Sequence, residues 1–319
     1  MGRLVLVLAL LAAAGCSSIV SIDLQPRIRP LEEETVEGEG RDKILLLDLS
    51  GVLSDERVSL SLGSPAPRVP LVARVREELR KAQDDERVKA LIVRINSPGG
   101  TITASDILYH ELQAFKARKK IPVVAAIMDV GASGGYYVAL AADTIMAHPT
   151  TVTGSIGVVM LTVNAQGLLE KIGVSALAIK SGDQKDAGSP FRALTPAERD
   201  VFQGIIDEMQ ARFVRLIAES RKLPEARVRA LADGRVYTAE QALGAGLVDR
   251  IGYLDEAVAA ARQAAGLAEA RVIMYQRPRD YRATYYAATP PTGGLEAAAG
   301  PLGALIGGAG PRFMYLWLP

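Results

Sequence analysis

The sequence predicts an α/β protein built around a parallel sheet. Three observations carry that expectation. Short apolar runs, Lys43–Leu49, Val88–Ile95 and Ile121–Met128, alternate with segments whose apolar residues recur at helical spacing. Within those runs successive residues are apolar, the pattern of strands covered on both faces. Two of the runs pass directly into glycine-rich loops, Asn96-Ser-Pro-Gly-Gly100 and Asp129-Val-Gly-Ala-Ser-Gly-Gly135. In a right-handed strand–helix repeat both loops fall on the carboxyl edge of the sheet, where open α/β sheets carry their sites.

With 319 residues, 49% of them apolar, the chain can bury one large core or two smaller ones. Lys+Arg 37 against Asp+Glu 36 leaves a net charge of +1, and no basic stripe with interleaved aromatics appears. Nucleic acid is excluded as an expected partner. Residues 1–16 read as an export signal: one Arg, a short apolar run, then Ala13-Ala-Gly-Cys16. That ending resembles a bacterial lipobox, with Cys16 as the lipidated residue. Cleavage by an ordinary signal peptidase, or retention as a signal anchor, is the other reading. Cys16 is the single cysteine, so no intrachain disulfide can form. Residues 17–41, with Pro26, Pro30 and Glu32-Glu-Glu34, read as a tether off a membrane.

The folded part is expected over residues 42–270. After the strand at Lys43 comes a loop, Ser50–Pro70, and a helix with Leu71, Val75, Leu79 and Ala82 on one face. The strand from Val88 leads through Gly100 to a helix that buries Leu108, Leu112 and Phe115, and the strand from Ile121 leads to Ser133 and a helical run, Val138–Ala142. A short strand, Thr144–His148, precedes a Ser/Gly loop. Asn164–Lys171 is predicted as a helix, Val174–Lys180 as a strand and Ser181–Pro190 as a polar loop. Thr195-Pro-Ala-Glu198 is a capping box opening a long helix with Phe202, Ile205, Met209, Phe213 and Ile217 on one face. Helices near Pro224, within Gly234–Asp249 beside a short strand, and over Leu254–Ala264 complete the domain. Residues 271–319 read as an Ala/Gly/Pro-rich tail whose apolar segment, Phe313–Pro319, suits either a peptide groove or a membrane-touching end.

Ser133 is the candidate nucleophile. It stands where a buried strand ends and a helix begins, so the N–H of Gly134 points outward with partial positive charge. The N–H of Gly100, from the second glycine loop on the same edge, supplies the other donor of an oxyanion hole. Gly131-Ala-Ser-Gly-Gly135 matches the nucleophile elbow Gly-x-Ser-x-Gly. Those hydrolases place a histidine late in the chain, whereas the two here are His110 and His148. A lysine base is the alternative. Lys185, in a loop between Gly182 and Gly188, is the candidate that stands apart from helical and tether lysines; as a bare residue it reads equally as solvated.

Five motifs now stand in order over residues 43–265: Asn96-Ser-Pro-Gly-Gly100, Asp129 to Tyr137, Thr153-Gly-Ser-Ile-Gly-Val158, Ser181-Gly-x-x-Lys-Asp186, and Asp233-Gly-Arg-Val-Tyr to Gly-Leu-Val-Asp249. Together they resemble signal peptide peptidase A, a Ser/Lys peptidase family, in its short single-repeat form. The resemblance implies a Clp-protease/crotonase-like spiral of strand–helix repeats with additional C-terminal helices. It implies Ser133 as nucleophile, Lys185 as general base, Ser155 as the residue orienting the lysine, and Gly100 and Gly134 as oxyanion donors. No cofactor and no metal is implied. It further implies a homo-oligomer in which serine and lysine meet across a subunit boundary, lying far apart within one protomer. Asp183-Gln184 departs from the commoner pattern without a chemical consequence.

The expected function is a membrane-tethered, exported serine endopeptidase acting on remnant signal peptides and other unfolded apolar peptides, with its catalytic domain outside the cytoplasm (the periplasm, in a Gram-negative cell). A crotonase-like acyl-CoA enzyme on the same fold would use the same glycines with catalytic carboxylates, but would leave Ser133 without a role and meet no CoA pool outside the cytoplasm. An inactive membrane scaffold of the same fold is the third reading.

Overall fold

A computed structural model describes residues 29–55, 69–277 and 312–317. The expected export signal with Cys16, the first part of the tether and residues 278–311 lie outside the described residues. Among the described residues no helix is long and apolar enough to cross a membrane.

The strands are β1 (Glu32–Glu37), β2 (Lys43–Ser50), β3 (Val88–Ser97), β4 (Gly99–Thr101), β5 (Val123–Ala132), β6 (Thr144–Ala147), β7 (Val152–Gly154), β8 (Val159–Leu161), β9 (Val236–Thr238), β10 (Arg250–Ile251), β11 (Arg271–Gln276) and β12 (Arg312–Leu316). The helices are α1 (Leu71–Asp84), α2 (Ile102–Lys119), α3 (Gly134–Ala139), α4 (Gln166–Lys171), α5 (Pro196–Arg221), α6 (Glu225–Leu231), α7 (Ala239–Ala245) and α8 (Leu254–Ala264). The main sheet runs β1-β11-β2-β3-β5-β6-β10, with β7 paired to β5 and β9 to β7. Its pairings from β11 through β2, β3, β5 and β6 to β10 are parallel, whereas β1 and β9 add antiparallel. The strand–helix alternation expected from the sequence is the architecture observed.

Successive residues of β2 enter opposite faces of the sheet, as its unbroken apolar run Ile44–Leu47 requires. Leu45, Leu47 and Leu49 join the larger core beneath α1, α2, α3 and α5, and Ile44 and Leu46 join a smaller one with Leu254, Ala257 and Ala261 of α8. Thr101 caps α2 by accepting from Ala104 N–H at 3.2 Å, which fixes the helix start two residues after Gly100. The Thr195–Glu198 capping box forms as predicted. Three buried apolar positions then anchor α5 in the core: Phe213, Val214 and Ile217.

Three expectations need correction. The tether does not extend to residue 41, since Glu32–Glu37 pairs with β11. Its acidic run is held because buried Lys43 binds Glu33 and Asp85, each at 2.6 Å; a lysine 10 residues away cannot be read as their partner from composition. The tail does not begin at 271, because β11 lies between β1 and β2 in the main sheet. Val174–Lys180 forms no strand: among the described residues it pairs with no other strand, and Leu177 and Ile179 are 89% and 97% exposed.

Phe115 is fully buried between α2 and the sheet. Phe115→Ala is expected to lower stability by about 3–5 kcal/mol through lost burial and the residual cavity, measured as a fall in the denaturant midpoint without a change in slope.

Candidate active site

Sequence order becomes a site because β3 and β5 are neighbours in the parallel sheet, with Leu91↔Val123 through Ile95↔Ile127 in register. Their carboxyl ends therefore release the two glycine loops side by side. Contact between them is backbone to backbone. Gly99 has φ of +100°, and a β-carbon built on it would lie 2.7 Å from the Gly134 nitrogen. On the other side of the serine, a β-carbon on Gly135 would lie 2.6 Å from the Ser97 carbonyl oxygen. Only residues without side chains let the β3 loop and the serine turn approach this closely.

Ser133 is the junction. Its φ of 52° and ψ of −114° are outside the ordinary regions for a residue with a β-carbon, a strain of roughly 1–3 kcal/mol that surrounding structure must hold. Two backbone bonds hold it: Ser133 N–H donates to Gly154 O at 2.7 Å, and Tyr137 N–H donates to Ser133 O at 2.9 Å. The first is possible because β7 runs parallel to the end of β5, Gly131 facing Thr153 and Ala132 facing Gly154. Thr153 Oγ1 ties the pair by donating to Gly131 O at 2.6 Å. Ser133 is 1% exposed and its Oγ is buried without a hydrogen-bond partner. An unpaired buried hydroxyl costs about 1–3 kcal/mol, so the position is held against both strain and desolvation.

β4 sets the backbone around Gly100, the expected oxyanion donor. Its Gly99 carbonyl accepts from Leu53 N–H and its Thr101 N–H donates to Leu53 O, both at 2.8 Å. Alternation then turns the N–H and C=O of Gly100 to the opposite edge, where Tyr315 of β12 is its partner. The predicted Gly100 and Gly134 thus belong to two loops in direct contact, flanking one spot beside Ser133. Ser155 follows the Gly154 that holds Ser133; it is buried, has φ of 48°, and donates its N–H to Arg235 O at 2.8 Å.

Lys185 is placed differently. It is exposed, on a turn where its N–H bonds Gly182 O at 3.1 Å, and no hydrogen bond joins it to Ser133. The turn is pinned at the next residue. Asp186 accepts from Arg192 and Lys180, each at 2.7 Å, and Arg192 also donates to Glu198 Oε2 at 2.9 Å. The hydrogen bonds from Arg192 and then from Thr195 N–H hold the Glu198 carboxyl down at about 2. Hydrogen bonds from Arg192 and Lys180 likewise hold Asp186 well below the usual carboxylate range. Neither histidine serves the serine: His110 is exposed, and His148 Nδ1 lies 2.9 Å from Thr150 Oγ1 with its ring edge-on to Tyr253.

Sequence reasoning passed over the aromatic wall beside the serine. Tyr137 is buried, donates its hydroxyl to Asp106 at 2.6 Å and packs on Phe213 at 5.0 Å. Burial, then the bond to Asp106, pushes the Tyr137 phenol far up, so it stays a neutral donor. The spacing of Phe213 predicts a core face of α5; nothing in it says that the core it joins borders Ser133.

A strained, buried serine beside paired backbone donors defines a serine-hydrolase type of site. The comparisons with known proteins narrow that class. Residues 115–268 match the model of peptidase family S49. The chain is 37% identical over 245 residues to a putative signal peptide peptidase SppA of Enterococcus faecium, covering 77% of this chain and 70% of that protein. It is 44% identical over 187 residues to a putative protease of Synechocystis sp., covering 59% and 67%. Against the chloroplastic serine protease SPPA of Arabidopsis thaliana it is 37% identical over 229 residues, covering 72% of this chain and 33% of that one. Among solved structures it is similar to a ClpP1 variant from Listeria monocytogenes, at 17% identity and a TM-score of 0.43 over 67% of this chain. The chain belongs to peptidase family S49, as a serine peptidase similar to signal peptide peptidase A.

Gly135→Ala is expected to push the serine turn off Ser97 and to cut labelling of Ser133 by a fluorophosphonate probe by about tenfold or more, the scale on which a misplacement near 1 Å acts. Equal labelling rates in variant and wild type would show that the close approach is not needed. For the turn at Lys185, the depressed carboxylates contribute in full above the ordinary carboxylate range, and that contribution fades as pH falls toward about 2 for Glu198. Side-chain carboxyl NMR should therefore find Glu198 titrating near that value, and Arg192→Ala should move it up toward the ordinary 4.5.

Proposed function

We propose that this protein is a membrane-tethered serine endopeptidase that degrades remnant signal peptides and other unfolded apolar peptides through a Ser133/Lys185 dyad completed between subunits. The observation that carries the reading is the strained, buried and unpartnered hydroxyl of Ser133 beside the Gly100 and Gly134 donors. Among the described residues no side chain hydrogen-bonds its Oγ, which suits a base supplied from elsewhere.

The stretch bearing Lys185 supports the subunit arrangement. Leu161, Val163, Leu168, Ile172, Leu177 and Ile179 are all exposed along it. Exposed apolar side chains gathered along one stretch of chain suit a face that another protein covers, and a second copy of this chain would bury them while presenting its lysine. The tether and the lipid at Cys16 rest on the sequence pattern, which supports a catalytic domain outside the cytoplasm.

In the reaction, the Lys185 amine takes the Ser133 proton as Oγ attacks the peptide carbonyl. The N–H groups of Gly100 and Gly134 hold the oxyanion, a contribution of about 3–4 kcal/mol per donor where one has been removed. The protonated amine then gives its proton to the leaving peptide nitrogen. Water, deprotonated by the same lysine, attacks the acyl-serine and releases the carboxylate product.

Ser133→Ala and Lys185→Ala are each expected to lose peptide hydrolysis while assembling as wild type does. Mixed after dissociation and reassembled, the two inactive variants should recover activity, because some neighbours then contribute an intact serine and others an intact lysine. Full activity in Lys185→Ala, or no recovery from a mixture whose mass confirms assembly, would overturn the shared dyad.

A further inference from the structure

β5 does not keep step with β3 to its end. Ile95 faces Ile127, but Ser97 faces Gly131 rather than Asp129. Met128, Asp129 and Val130 thus lie opposite Asn96 alone, a bulge of two extra residues. Extended, two residues would carry the chain about 7 Å further along the sheet. The bulge takes up that length, and at the shortened level the serine turn meets the β3 loop. There a β-carbon on Gly135 would lie 2.6 Å from Ser97 O, and one on Gly134 3.1 Å from Gly99 Cα. The bulge is tight at its base too, since a β-carbon on Gly131 would lie 2.3 Å from Ile127 Cγ2.

Two side chains hold the bulge, one from each flank. Thr151, buried just before β7, shares its hydroxyl proton between Ile127 O, at 3.0 Å, and Met128 O. Thr151 N–H in turn donates to His148 O, and His148 N–H to Ile127 O, each at 2.9 Å. From the β3 side, Asn96 Oδ1 accepts from Val130 N–H at 3.1 Å, while Asn96 O accepts from Gly51 N–H at 3.0 Å. Side chains so replace the ladder bonds that the bulge interrupts. Beyond it the register resumes with β7, whose Gly154 O receives the Ser133 N–H at 2.7 Å. Neither Thr151 nor Asn96 bonds Ser133 Oγ; both reach the serine through the backbone.

We propose that Thr151 and Asn96 are positioning residues for the reaction: by stapling the β5 bulge they set the level at which Ser133 stands against the Gly99–Gly100 loop. This rests on the reading of Ser133 as nucleophile, and adds two residues that act on it from outside the groove. A bulge beside a site re-aims the side chain that follows it. Here that residue has a strained backbone, with φ of 52° and ψ of −114°, which persists only while its surroundings impose it. Released from the staple, the turn relaxes toward ordinary φ and ψ, and the Ser133 N–H parts from Gly154 O. The part played by Thr151 is a single hydroxyl, so valine keeps its shape and serine keeps its proton.

The test uses the full-length protein carrying Thr151→Val, Thr151→Ser or Asn96→Ala. Each is measured for the rate of Ser133 labelling by a fluorophosphonate, for kcat and KM on a peptide, and for backbone amide hydrogen exchange. Thr151→Val is expected to slow labelling and lower kcat by about tenfold or more with KM unchanged, because the serine is misplaced while the peptide-binding edges stay intact. Exchange at the Val130 and Ser133 amides should quicken by about tenfold, with no change over Leu91–Ile95. Thr151→Ser should restore most of the rate. Asn96→Ala, at an exposed position, should quicken exchange at Val130 and slow labelling by about threefold. Wild-type labelling and exchange in Thr151→Val would overturn the proposal, as would an equal loss in Thr151→Ser. A lower melting temperature with labelling of the folded protein at the wild-type rate would also overturn it, since that is a purely structural role. If Thr151→Val does not fold, Asn96→Ala decides by the same measurements. If Ser133→Ala labels as wild type does, the nucleophile reading falls, and exchange at Ser133 still decides the staple.

Discussion

The site depends on one steric fact: the loop after β3 and the turn after β5 touch through their backbones. Gly99, Gly134 and Gly135 give that contact no side chains to separate it. Everything else serves to keep it closed. The parallel pairing of β3 with β5 brings the two carboxyl ends to the same level. β7 adds beside the end of β5 and receives the Ser133 N–H. Tyr136 and Tyr137, both buried immediately after the serine, fix the start of α3 by bonding Leu247 O and Asp106. The unusual backbone of Ser133 is tolerated because the chain is held on both sides of it.

Two kinds of sheet divide the labour. The main sheet is covered on both faces over its central strands and its helices lock against it, which suits a rigid platform for groups that must be placed to within a fraction of an ångström. The smaller sheet is built from three-residue strands at the site, with backbone groups of β4 and β8 turned toward whatever lies between them. β12 is held between these short edges by backbone pairing, and its Tyr315 side chain packs against Tyr137 and Phe213.

The stretch from Leu161 to Phe191 obeys a different logic from the core. Its apolar side chains face outward, and its order comes from an ionic turn around Arg192 rather than from burial. Such a segment keeps its shape without a hydrophobic floor, and its apolar surface is left for a partner. Under the proposed dyad, this is the surface that carries a lysine to a neighbour's serine.

The sequence by itself determined the strand–helix alternation, the two-sided burial of β2, β3 and β5, the capping box of α5, and the two glycine loops with Ser133 between strand and helix. Each is set by local periodicity or by backbone conformations that few residues adopt, so each is visible in a window of a dozen residues. The five ordered motifs also carried the family. Tertiary structure alone decided the rest, because the partners are distant in the chain. Glu33 and Asp85 become structured through Lys43, β11 is threaded between β1 and β2, and Val174–Lys180 stays unpaired despite its strand-like composition. Above all, the residues that meet at the serine come from positions 53, 99–100, 133–137, 154–155, 213 and 315. No local pattern links Phe213 or Tyr315 to Ser133; only the packing of α5 and β12 on the carboxyl edge of the sheet does.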